Sequence, residues 1–255
     1  MGAFASRVSV MTGSAVHIAS EKLRGQILEV FREISGIDVG SLVAEGGVVR
    51  SPSGSSTEMT FAQIIQRAPM EFLETGSRGK CLVVRSEFNT SHMTYPYGIH
   101  LVVARVDRGL AAVTLERMVV AYDVGRSINP LLVEGQIVGG AAQGIGGALL
   151  EEFVYDDEVQ PLATSFMDYL MPTVTEIPDV EVIVREDAPS RTIPLGIMGA
   201  GEGGITGVGA AVANAIEDAL DGTASVDYLP VSPNRIHNIL KGKDKSVDHL
   251  NESSP

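Results

Sequence analysis

The sequence runs to 255 residues, 44% of them hydrophobic, with a mean hydropathy of +0.17; this is enough for a sizeable core in one large domain or two lobes, and too apolar for a disordered chain. A formal net charge of −13, an isoelectric point near 4.8 and no basic stripe argue against nucleic acid as a partner, because phosphate binding depends on clustered Lys and Arg. The single cysteine, Cys81, excludes an internal disulfide and an iron–sulfur cluster held by this chain alone, since such clusters normally take four thiolates.

In chain order, "MGAFASRVSV" has no charged stretch ahead of a long apolar run and reads without a secretory signal; its Met-Gly start with Ser6 also fits a myristoylation pattern, one short enough to recur by accident. Val16, Ala19, Leu23, Ile27, Val30 and Phe31 recur at helical spacing and predict an amphipathic helix over 14–34, ending before Gly36. Residues 46–60, with "GG" and "SPSGSS", read as an exposed loop or hairpin, and "TFAQIIQRA" as a short helix capped by Thr60. "KCLVVRSEF", "IHLVVARVD" and "AAVTLERMVVAYDVG" are β-branched runs that predict strands, the last two joined as a hairpin by the turn-like "DRGL".

Residues 131–151 predict a glycine-rich helix that lets a backbone or ligand come close. Glu134, Gln136 and Gln143 interrupt it too often for a membrane span. "DVEVIVRED" predicts another strand, 207–220 a helix, and "SPNRIHNIL" a last helix with Ser232 as N-cap and Pro233 in its first turn. The tail, 241–255, is polar and is expected to be mobile. Together these elements predict an α+β fold.

Three features bear on chemistry. "GAGEGGITG", residues 199–207, sets Glu202 among glycines ahead of a helix. The carboxylate is either a stabiliser of unpaired helix amides or a general base in a pocket where glycines admit a bulky cofactor and partial dehydration tunes the acid. Gly199, Gly201 and Gly204 formally satisfy G-x-G-x-x-G, but the preceding "SRTIPLGIM" is a poor central strand for a dinucleotide site. Gln136 and Gln143, seven apart on one helix, share a face where their amides either make ordinary helix contacts or hydrogen-bond a heteroaromatic ring. The five histidines are dispersed without zinc-ligand spacing, and "DVGRSINP" reads as a strand exit and turn.

Taken together, "YDVGRSINPLLVEGQIVGGAAQGIGGALLEE", "SFMDYLMPTVTEIPDVEV" and "GIMGAGEGGITGVGAAVANAIEDAL" closely resemble the C-terminal part of the large subunit of molybdenum hydroxylases, the family of xanthine dehydrogenase, aldehyde oxidoreductase and carbon monoxide dehydrogenase. "GAFASRVSVMTGSAV" resembles the family's pterin-contacting loop and following helix, and "TYPYGIHLVVARVD" its central strand. The resemblance covers residues 2–240 in family order and implies a C-terminal molybdopterin-binding domain, 1–240, in one body or two lobes, with mixed sheets and packed helices.

The resemblance further implies a molybdenum–molybdopterin cofactor, in its cytosine dinucleotide form, with the metal held through the pterin dithiolene and not by side chains. Ala5, Ser6, Arg7, Val8 and Ser9 would line the pterin or its phosphate, joined by Gln136, Gln143, Ala200 and Gly201. Glu202 falls on the family's catalytic carboxylate, which takes the proton of the oxygen that attacks an electron-poor carbon, with water as oxygen source. Electrons would leave through 2Fe-2S clusters and FAD on partner subunits.

Two departures from the family stand out: Met198 where many relatives carry lysine, and Val124 where many carry cysteine. The family's N-terminal half is not in this sequence, which implies either a naturally split subunit, the favoured reading, or a truncated product; a split subunit would need an N-terminal molybdenum-domain polypeptide, an iron–sulfur subunit and a flavin subunit, and the expected location is cytoplasmic. The rivals are a non-catalytic assembly subunit and a nicotinamide-dependent dehydrogenase.

Overall fold

The structure, a computed structural model, describes residues 4–51, 58–76, 79–222 and 225–242. The start at residues 1–3, with the myristoylation pattern's Gly2, and most of the expected mobile tail, from residue 243 on, lie outside these. The chain divides into two compact units, one of residues 8–92 with 192–195, the other of residues 1–7, 93–191 and 196–255.

In the first unit a π-helical turn, Ser9–Gly13, leads into α1, Ser14–Ser35. Ile27, Val30 and Phe31 are buried on one face of α1, as their spacing predicts. The helix stops where Gly36 adopts φ 71° and its N–H donates to the Arg32 carbonyl at 2.8 Å, a conformation that favours glycine. Strands β1, Val43–Glu45, β2, Val48–Arg50, and β3, Glu58–Thr60, form an antiparallel sheet, so the ends of the 46–60 segment pair as a hairpin while 52–57 lie outside the described residues.

Helix α2, Phe61–Arg67, starts at a capping box: the Gln63 N–H donates to Thr60 Oγ1 at 3.2 Å, and the Thr60 N–H donates to Gln63 Oε1 at 2.9 Å. Ile64 on α2 joins Val30, Phe31, Val49 and Met59 in this unit's core. The run "KCLVVRSEF" departs from its expected strand. It pairs only at its start, where β5, Gly79–Cys81, meets β4, Glu74–Gly76; residues 82–92 carry no strand. With only a three-residue neighbour the run has no edge to extend along, and Ser86 instead donates its hydroxyl to the Ala15 carbonyl at 2.6 Å.

The second unit is built on β6, Tyr97–Asp107, and β7, Ala112–Asp123, paired antiparallel, with β8, Val180–Arg185, added parallel to β7. The turn between β6 and β7 falls on "DRGL", where Asp107 Oδ1 accepts the N–H groups of Gly109 and Leu110 at 2.8 and 2.9 Å. Helix α3, Pro130–Leu149, is capped by Asn129, whose Oδ1 accepts the Leu132 N–H at 3.2 Å, with Pro130 in the first turn. Helices α4, Val208–Ala219, and α5, Pro233–Leu240, follow, the latter capped by Ser232.

One face of the β6-β7-β8 sheet carries Met118, Val120 and Tyr122, which join Ile137, Ala141 and Ile145 of α3 and Val208, Val212 and Ile216 of α4 in the larger core. The result is the expected α+β fold with a mixed sheet. On the other face Tyr97, Ile99, Leu101 and Val103 of the outer strand β6 are exposed. Among the described residues no helix is long and apolar enough to cross a membrane.

Candidate functional site

The exit from β7 sets the position of the glycine-rich loop. Asp123 Oδ1 accepts the Gly125 N–H at 2.8 Å, and its Oδ2 accepts the N–H groups of Asp187 and Ala188, each at 3.1 Å. This leaves Val124 to Arg126 free to pair with the incoming 196–198 segment: Met198 N–H donates to the Val124 carbonyl at 2.8 Å, and Arg126 N–H to the Gly196 carbonyl at 3.0 Å. "DVGRSINP" is thus the strand exit and turn that its sequence suggests, and the turn docks residues 199–207 beside β7 and α3.

Across this loop stands the N-terminal segment. Ala5 and Ser6 have φ of 55° and 50°, two successive left-handed residues that are not glycine; such strain costs about 1–3 kcal/mol per residue and clusters at functional sites. Ser6 Oγ accepts the Glu202 N–H at 2.9 Å. Ala5, Ser6, Gly199, Glu202 and Tyr122, with the wall 94–98, line one open cleft of about 600 Å³, within the size range of small-molecule sites. Burial, and then the nearby Glu202 carboxylate, push the Tyr122 phenol above its ordinary range.

The glycines around Glu202 answer to the protein's own packing. A Cβ on Gly199 would come within 2.9 Å of Ser6 Cβ, one on Gly203 within 2.5 Å of the Tyr122 ring, and one on Gly204 would collide with the Ile137 carbonyl oxygen. A Cβ on Gly207 would collide with the His100 ring, whose Nε2 lies 3.1 Å from the Gly204 carbonyl oxygen. Bare backbone here lets β6, β7, α3 and the 4–7 segment close on the loop, and does not by itself make room for a ligand.

The dinucleotide arrangement fails on the same geometry. Residues 201–207 are turns, only an isolated bridge at Ile197 precedes them, and α3 backbone fills the space beside Gly204. Glu202 also lies six residues ahead of Val208, the first residue of α4, which removes the capping alternative. Glu202 is exposed, so the enclosed pocket expected of a general base is not closed by the described residues of this chain.

Space for a ligand lies instead along α3. Its buried face holds Ile137, Ala141, Ile145 and Ala148, while Gln136, Gly139, Gln143 and Gly147 share the exposed face. A Cβ on Gly135, Gly139 or Gly147 would meet nothing within 4 Å among the described residues. Gln136 reaches the glycine loop, its Oε1 lying 3.5 Å from a Cβ placed on Gly201, whereas Gln143 sits about 10 Å further along the helix axis.

The sequence profile of the molybdopterin cofactor-binding domain matches residues 1–178. The chain belongs to this family, a part of the molybdenum hydroxylases. It is 35% identical over 246 residues to the gamma subunit of the 6-hydroxypseudooxynicotine dehydrogenase complex of Paenarthrobacter nicotinovorans, covering 96% of this chain and 31% of that one. The large subunit of nicotine 6-hydroxylase from the same organism is 31% identical, with 94% of this chain and 30% of the relative covered. Among solved structures, quinoline 2-oxidoreductase from Pseudomonas putida 86 superposes with a TM-score of 0.83 at 31% identity, over 94% of this chain and 31% of that chain. The chain therefore spans about a third of the length of the relatives it matches.

For a molybdopterin cofactor-binding domain the residues fit the group. The strained Ala5–Ser6 turn, the cleft and the open face of α3 with its two amides form a cradle that a Cβ at Gly135 or Gly139 would begin to fill. Of the residues assigned to the cofactor by resemblance, Ala5, Ser6, Gln136 and Gly201 gather around the Glu202 loop, and Ala200 lies in that loop. Arg7 places its guanidinium over the Phe4 ring at 5.3 Å. Val8 and Ser9 belong to the other unit, where Ser9 opens the π-helical turn. Val124 and Met198, at the two departures from the family pattern, are both buried and joined by a backbone hydrogen bond, so their side chains serve the core.

Sequence reasoning missed Tyr122 and the wall Thr94–Gly98. The only local trace was the placement of Gly98 in a strand otherwise rich in β-branched residues, which marks a close approach. The open α3 face makes one prediction directly. Gly139→Ala should stabilise the chain by about 0.5–1 kcal/mol in chemical denaturation, from helix propensity alone, while lowering pterin retention in the assembled protein.

Proposed function

We propose that this chain is the C-terminal, catalytic molybdenum-cofactor-binding subunit of a heteromeric hydroxylase or dehydrogenase that oxidises an electron-poor carbon of an N-heteroaromatic or an aldehyde, with water as oxygen source. The observation that carries this reading is the convergence of Ser6, Tyr122, Gly199 and Glu202 on one cleft next to Gln136. The nicotine and quinoline named for the relatives favour the N-heteroaromatic class. When bound, the molybdenum–pterin centre, in its cytosine dinucleotide form, supplies a two-electron oxidant.

The chain's own residues do the rest. Ala5 and Ser6 would present the strained turn to the cofactor, and by resemblance Arg7, Val8 and Ser9 would also line the pterin or its phosphate. Gln136 and Gln143 offer amide donors and acceptors along α3, and Ala200 and Gly201 supply backbone. The Glu202 carboxylate accepts, on Oε, the proton that must leave the attacking oxygen, and Ser6 Oγ steadies it by holding the Glu202 N–H.

The family likeness and the bare apolar surface support partner chains. One cysteine leaves 2Fe-2S clusters to an iron–sulfur subunit, with FAD on a flavin subunit. Tyr97, Ile99, Leu101 and Val103 on β6, with Phe166 at 86% exposure and Met167 at 90%, form apolar surface suited to burial against an N-terminal molybdenum-domain polypeptide. A lone thiol, Cys81, suits a reducing cytoplasm.

The test is purification together with whatever co-expressed chains remain attached, followed by elemental analysis and identification of the released pterin. Molybdenum with a cytosine dinucleotide pterin in the assembly is the expected result. An assembly free of molybdenum, or one that binds NAD instead, would sink the proposal.

A further inference from the structure

We propose that Tyr122 is the positioning residue for Glu202: its ring is the spacer that sets how far the Glu202 loop stands from strand β6. The inference rests on Glu202 acting as the base. Tyr122 sits one residue from the end of β7, directly opposite Gly98 of β6, on the face of the sheet that holds the core, and is only 6% exposed. A Cβ on Gly98 would collide with one edge of its ring, at Cδ2 and Cε2; a Cβ on Gly203 would come within 2.5 Å of the other, at Cε1 and Cζ.

The ring is therefore in contact with the strand by one edge and with the loop by the other, and only glycine permits either approach. Gly203 follows Glu202 in the chain, so the backbone that carries the carboxylate rests on the ring. Ser6 Oγ restrains the same backbone from the other end, at the Glu202 N–H. A smaller side chain at 122 would let the loop sink toward the sheet and carry the carboxylate with it; misplacement of about 1 Å commonly costs about 10²-fold in rate.

Few titratable groups share this environment. Glu202 faces Tyr122 from the loop, Tyr95 and Tyr97 stand on the same cleft wall, and His100 on β6 is held at Gly204. From β8, Val184 pairs opposite Tyr122, and α3 and α4 contribute aliphatic side chains to its core. The nearby carboxylate helps to hold the phenol above its ordinary range, so the phenol is a built-in reporter of where Glu202 stands.

Spectrophotometric titration of the full chain, with the Tyr122→Phe spectrum subtracted to isolate this phenol, reads the arrangement without cofactor or turnover. The phenol should ionise above the ordinary tyrosine range and shift down in Glu202→Gln. A phenol indifferent to Glu202→Gln would overturn the juxtaposition.

In the assembled, cofactor-loaded complex, Tyr122→Phe should keep kcat within about threefold, whereas Tyr122→Leu should lower kcat by about 10²-fold with KM changed by less than about threefold. Equal kcat in the Phe and Leu variants would remove the spacer role. Turnover that survives Glu202→Gln sinks the base, while the phenol titration, which needs no turnover, still decides whether Tyr122 and Glu202 stand side by side.

Discussion

Glu202→Gln in the assembled complex should lower kcat by about 10³-fold, within the range for losing a positioned general base, while molybdenum and pterin contents stay at parent levels. The amide keeps the size and hydrogen-bonding reach of the acid but cannot accept a proton at catalytic pH. The Glu202 N–H still donates to Ser6 Oγ, because that bond uses only the backbone, so the loop and the cradle should be retained. Turnover is measured with the bound metal counted in the same sample. An unchanged kcat would identify the chain as an assembly subunit that keeps the fold without the chemistry.

Gly204→Ala carries the second large effect, this time on stability. The added methyl would run into the carbonyl of Ile137, in the middle of α3, and backbone cannot step aside as a flexible side chain does. Overpacking of this kind costs about 1–3 kcal/mol, and the backbone partner puts Gly204 at the upper end; denaturant unfolding of the chain measures it. Gly201→Ala is the control. Its methyl would meet Ser6 Oγ at 3.2 Å, a side-chain atom that can give by a few tenths of an ångström, and should cost well under the Gly204 change. If the two variants unfold at the same denaturant concentration, the loop is not clamped against α3 as described.

Much of this architecture was legible because its causes are local. The caps at Thr60 and Ser232, the turn at Asp107 and the stop at Gly36 each depend on residues within four positions of one another, and each appears where the sequence places it; the Asn129 cap is as local, and the structure adds it. The failure at "KCLVVRSEF" has a non-local cause. β-branched residues favour an extended chain, but a strand also needs a partner, and among the described residues only β4 pairs with this run. The shared face of Gln136 and Gln143 was readable from helical period, but not that Gln136 reaches Gly201, since that depends on where residues 199–207 come to rest against α3.

The amino-acid order by itself determined the helices, the long hairpin, the family resemblance and the candidacy of Glu202, because periodicity, caps and motif spacing are written along the chain. Only the tertiary structure decided what the glycines are for. Those beside Glu202 admit Ser6, Tyr122, Ile137 and His100, residues up to about two hundred positions away, while those on the outer face of α3 meet nothing among the described residues. A glycine states that something approaches its backbone; the identity of that neighbour is a property of the folded contact, and no local reading of sequence contains it.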